Sequence, residues 1–188
     1  MGKAYYYTSA TLPMLFYDNA LPVKREDFLE ICSRTLKESD FQAVEACTIT
    51  VDEEAELSGF AGRYRAWEIA LRNALVKVRA KEQGLDEREF QRDGGDGFGV
   101  DDIASSAIKI DSPLEAEHFL NKARWSYVDE MVSGHIMDLE FLQGYYLQLQ
   151  IMERKESFQE EQGFQNYRKL YEEILSVRNE SADNEVTE

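Results

Sequence analysis

Glycines, acids, histidines and cysteines are the residues here whose spacing could carry chemistry. Arg92-Asp93-Gly94-Gly95-Asp96-Gly97-Phe98-Gly99 packs four glycines into six residues, a composition shared with loops that cradle phosphate or calcium. A dinucleotide fingerprint needs Gly-x-Gly-x-x-Gly between a strand and a helix, but Gly95 and Gly97 are followed by Val100 and the segment before them has helical spacing. A calcium loop opening at Asp93 needs oxygen ligands where Gly95 and Gly97 stand. The segment therefore reads as a flexible connector. His118 and His135 lie 17 residues apart with no cysteine beside either, too sparse for the three or four clustered ligands of a zinc site. Cys32 and Cys47 read as reduced, packed thiols rather than a disulfide framework. No nucleophile, base and stabiliser can be argued together, so the expectation is a protein that is not an enzyme and holds no cofactor or metal.

Charge offers more. Between Phe60 and Gly84, Arg63, Arg65, Arg72, Lys77, Arg79 and Lys81 are opposed only by Glu68 and Glu82, in a chain of formal net charge -16. Arg65, Arg72 and Arg79 are spaced by seven and fall on nearly one helical face, with Glu68 in reach of the first two. Either these arginines pair with acidic helices of the same chain, or part of the face meets an acidic partner, for which the forked guanidinium is suited. They are the candidate interface residues. Asn73, among apolar neighbours, is expected to bond a neighbouring backbone in the core.

The elements that must position these residues have the 3.6-residue period throughout. Phe60, Tyr64, Trp67, Leu71, Leu75 and Val78 form the buried stripe of one long helix. Ahead of it, helices are expected from about Lys24 to Lys37 and from just after Ser39-Asp40. For Tyr5 to Phe16, helix and extended chain are both open. Ser112-Pro113-Leu114-Glu115 is a capping box with proline at the first helical position, opening a helix that runs through Trp125 to about Val132 and ends at Gly134. Asp138 caps the next, whose stripe holds Leu142, Leu149 and Met152, and helical spacing continues through Phe164 and Ile174. The expectation is all-α: one compact domain of about six to seven helices over residues 1–178, followed by an acidic, disordered tail at 179–188. Trp67, Leu71, Asn73, Leu75, Trp125, Leu149 and Ile174 are the candidate core.

With 188 residues and 43% hydrophobic composition, the chain can bury a core without staples. Its acidity argues against nucleic acid, whose phosphates need a basic footprint, and against anionic lipid. No apolar run approaches the roughly 20 residues that span a bilayer, and no signal peptide is legible at the start. The expected location is the cytoplasm, without direct membrane insertion.

Several stretches resemble one family. Leu71-Arg72-Asn73-Ala74-Leu75 through Arg79-Ala80-Lys81 to Gly84 is similar to a recurring arginine/asparagine helix in the central-stalk adaptor of V-type and A-type ATPases, the component designated C in bacteria and archaea and d in eukaryotes. Tyr5-Tyr6-Tyr7 with Ser9-Ala10-Thr11-Leu12 resembles its tyrosine-led start, and Leu142 to Arg154 its closing helices. More closely, Tyr5-Tyr6-Tyr7, Leu12-Pro13, Trp125 and Met152-Glu153-Arg154 resemble an uncharacterised family encoded beside bacterial V-type ATPase genes. The stalk adaptor is considerably longer, built from three related helical units, so the resemblance implies a shortened equivalent. It implies a non-catalytic adaptor between the membrane rotor ring and the central shaft, peripheral to the inner membrane through its complex. The other reading is an unrelated cytoplasmic all-α interaction or regulatory protein.

Overall fold

The computed structural model describes residues 3–50 and 57–158. Among them the chain is all-helical, with seven α-helices and no strand: α1 (Lys3–Thr11), α2 (Arg25–Thr35), α3 (Glu38–Glu45), α4 (Gly59–Gln83), α5 (Val100–Ile108), α6 (Pro113–Met131) and α7 (Leu139–Ser157). A single 3-10 turn, Glu87–Glu89, follows α4. The chain divides into two compact units, residues 1–153 and 154–188. Of the second unit only 154–158 are described, where the Arg154 guanidinium lies 5.3 Å from the Phe158 ring centre. Ile174, the stripe from Phe164 and the acidic tail at 179–188 lie outside the described residues.

Local signals place three of the helix ends. The Ser112 hydroxyl accepts from the Glu115 amide at 3.3 Å with Pro113 behind it, and the Asp138 carboxylate accepts from the Phe141 amide at 2.9 Å. The long helix stops at Gly84, whose left-handed φ of 69° lets the chain turn away without a Cβ penalty. Tyr5 to Thr11, open in the sequence, is helical. The short α5 has no counterpart in the sequence reading, although Val100, Ala104 and Ala107 form its buried stripe and it packs on α4 and α6.

The core falls into two clusters. Phe28, Cys32, Val44, Tyr64, Val128 and Leu149 belong to the first, where the Phe28 ring stacks on Tyr145 and Tyr146. Trp67, Leu71, Leu75, Ala104 and Leu120 belong to the second. Tyr127 packs against both, with its ring stacked on Trp67 at 4.3 Å. The described candidate core residues are thus split: Trp67, Leu71 and Leu75 lie in one cluster, Leu149 in the other with half-buried Trp125 against it. Helix α7 is buried on every face from Leu142 to Met152 rather than along one stripe. Two of its glutamines help make that possible by serving neighbouring backbone: Gln143 donates to the Ala43 carbonyl at 2.9 Å, and Gln150 donates to the Cys47 carbonyl at 2.8 Å while accepting from the Ile49 amide.

Candidate functional site

Between the two clusters sits a buried ionic network. Glu68 follows Tyr64 by one turn and precedes Leu71; Arg124 stands one turn from both Leu120 and Val128. Each therefore occupies the seam between one cluster and the other. Glu68 is fully buried and Arg124 nearly so. Arg124 Nε donates to Glu68 Oε2 at 2.9 Å and Nη2 to Oε1 at 3.1 Å, the forked geometry that best matches a carboxylate. Arg72 Nε donates to the same Oε1 at 2.9 Å from the solvent side. Arg124 Nη1 completes the arrangement on Asn121 Oδ1 at 3.1 Å. Burial opposes the Arg124 charge, yet the Glu68 carboxylate, through its charge and hydrogen bonds, outweighs it and the guanidinium pKa is raised. The buried Asn121 Nδ2 has no hydrogen-bond partner among the described residues.

The cations of α4 are therefore not equivalent. Arg63 bonds Glu140 at 3.0 Å and lies over the Phe60 ring. Arg72 is committed to Glu68. Half-buried Arg65 lines a cavity of about 520 Å³ together with Ile69, Phe90 and Arg92. Arg79 is exposed, as are Lys77 and Lys81, and none of the three is in an ion pair or hydrogen bond with a described residue. Arg79 borders a depression whose walls include Glu82, Asp111 and Glu117, without reaching ion-pair distance of any of them. The seven-residue arginine series thus places one residue in a network, one in a cavity wall and one in solvent. Free charge is concentrated in the last two turns of the helix.

The glycine-rich segment is a docked strap rather than a loose connector. Half-buried Asn73 donates through Nδ2 to the Arg92 carbonyl and accepts at Oδ1 from the Arg92 amide, both at 2.9 Å. Its backbone partner is this strap, not the core. The Asp96 amide bonds the Ala66 carbonyl at 3.2 Å. Glycine is required at 95, where φ is 97° and a Cβ would fall 2.9 Å from the Ala70 amide nitrogen.

A third cluster lies at the corner before α7. His135 Nδ1 is 2.6 Å from Asp138 Oδ2, and Nε2 is 3.2 Å from Glu140 Oε2, the oxygen that also takes Arg63. The hydrogen bond to Asp138 leads the influences that raise the imidazole pKa. The thiols of Cys32 and Cys47 are pushed up to about 12 by burial, far from the lowered values of reactive cysteines.

Sequence reasoning anticipated the reach of Glu68 to Arg72 but missed Arg124, 56 residues away from the carboxylate. The available signal was a lone arginine between Leu120 and Val128 on the apolar side of α6. Among the described residues no group of three or more His, Cys, Asp or Glu is placed to hold a metal ion, and no described helix is long and apolar enough to cross a membrane.

A family model described as a protein of unknown function (DUF2764) matches residues 100–177, from the first residue of α5 onward. Nothing matches among curated proteins or solved structures.

Proposed function

We propose that this chain is a non-catalytic helical adaptor of a bacterial V-type ATPase, peripheral to the membrane through its complex and lying between rotor ring and central shaft. The observation that carries the reading is the set Lys77, Arg79 and Lys81, exposed and unpaired among the described residues, in a chain whose formal net charge is -16. An acidic protein that holds free cations at the end of one long helix has a surface suited to an acidic protein partner. The resemblance of the same helix, Leu71 to Gly84, to the stalk adaptor supports a rotary-ATPase component as that partner. Further support is mechanical: α4 runs 25 residues, and its apolar side is anchored in both core clusters, as a body that transmits force requires.

The test is purification of the intact rotary complex from cells expressing the full chain, with the amount of this chain measured against the central shaft. A fixed stoichiometry is expected, and it is expected to fall when Lys77, Arg79 and Lys81 are changed to Glu in a protein whose helicity is unchanged. Absence of the wild-type chain from the complex would favour the unrelated all-α interaction protein.

A further inference from the structure

We propose that a second copy of this chain docks on the face formed by α6 and the loop before α5, with Phe98 of each copy entering an aromatic groove of the other. Phe98 is the most exposed large apolar residue among the described ones, at 103% relative exposure. It stands between Gly97 and Gly99 at the end of the strap that Asn73 and the Ala66 carbonyl hold against α4. The ring is thus presented on a fixed base, which lowers the ordering cost of inserting it. Phe98 itself forms part of the rim of a groove of about 460 Å³ whose other walls include Trp67, Ile103, Phe119, Ala123 and Tyr127. Ala123 is the small member of the half-buried Phe119, Ala123, Tyr127 stripe and leaves a hollow between two rings. Knob and hole share one face, the requirement for an isologous two-fold contact.

The rim charges favour a second copy over an unrelated apolar partner. Lys122, Ser126 and Glu130 are exposed at successive turns of α6. If two α6 helices cross antiparallel with the two-fold at Ser126, each Lys122 meets the other copy's Glu130, and the small serine permits close approach at the centre. Glu130 has no ion pair with a described residue of its own chain. Lys122 has an exposed contact with Asp18 at 3.6 Å and lies over the Tyr17 ring, surface interactions that contribute little and can be exchanged. The two charged residues that line the groove, Lys122 and Glu130, are opposite in sign, so the groove itself adds nothing to the self-repulsion of an acidic chain.

This proposal does not depend on the adaptor reading. Sedimentation equilibrium of the purified full chain, from low to high micromolar concentration, tests it directly. A concentration-dependent dimer is expected, weakened by at least about tenfold in Phe98→Ser and in Lys122→Glu. Restoration is expected when Lys122→Glu is combined with Glu130→Lys, with circular dichroism confirming the fold of each variant. A wild-type chain that stays monomeric throughout would overturn the proposal. So would a dimer insensitive to Phe98→Ser, or a double charge reversal no better than Lys122→Glu alone.

Discussion

Arg124 on α6 places two donors on the two oxygens of Glu68 on α4, at 2.9 and 3.1 Å, with both side chains out of water. A pair so positioned sets which turn of α4 faces which turn of α6. Sliding either helix by one turn would leave a buried charge alone, which costs far more than the pair contributes in place.

Breaking the pair from one side is expected to be severe and removing it whole to be mild. Glu68→Leu, which strands Arg124, is expected to cost about 3–5 kcal/mol, whereas Glu68→Leu combined with Arg124→Met should cost much less than the sum of the single changes. Urea unfolding of the four members of the cycle measures this. Additive single effects would show that the two residues act separately.

Asn73 makes a separable prediction, because its amide serves both polar groups of one residue's backbone. Asn73→Asp keeps an acceptor for the Arg92 amide but has no donor for the Arg92 carbonyl. It is expected to lose about 1–3 kcal/mol and to expose residues 92–99 to limited proteolysis before the rest of the chain unfolds. Gly95→Ala should open the same segment, since its Cβ would collide with the Ala70 backbone. Cleavage elsewhere first would show that the strap is not held by these contacts.

His135 predicts a pH dependence. Its imidazole faces Asp138 and Glu140 from the start of α7 and Arg63 from α4. With the folded pKa raised above the ordinary 6.5, chiefly by the hydrogen bond to Asp138, the folded state holds the proton more tightly than the unfolded chain. Its contribution to stability is therefore fully present below about pH 6.5 and lost as pH rises through the higher folded value. NMR titration of the two histidines, assigned with His118→Gln, is expected to put the His135 midpoint above 6.5. The midpoint should return towards 6.5 in Asp138→Asn. A His135 midpoint below 6.5 would reverse the sign.

The thiols give an inexpensive check on the core. Burial holds Cys32 and Cys47 at about 12, so neither should react with a disulfide reagent at about pH 8 in the folded protein, and both should react in denaturant. Rapid labelling of either in the native chain would contradict its place in the first cluster.

How far these sites could be read from residues alone varied with distance along the chain. Ser112, Gly84 and Asp138 act on atoms within three or four residues, so spacing by itself located them. Arg72 on Glu68 was visible for the same reason. The roles of Asn73 and of the glycines were half visible. Asn73 signalled a backbone partner, and the glycines signalled a loop. Neither identified the other's segment, because their meeting depends on the chain returning along α4. Helix α5 escaped notice because its buried side is mostly small residues, which leave a weak periodic signal.

The sequence by itself determined that the described chain is helical, where its long basic helix stops and how α6 and α7 begin. Periodicity, capping and positive-φ glycines act through neighbours whose spacing the covalent chain sets. Only the tertiary structure decided which cations are spent and which are free. The seven-residue arginine series looks uniform in the sequence. Arg72 lost its freedom when Glu68 was buried beside Arg124, while Arg79, two turns further on, met no described carboxylate close enough to hold it. That outcome rests on which helix faces pack together, and packing brings into contact residues that no local spacing relates.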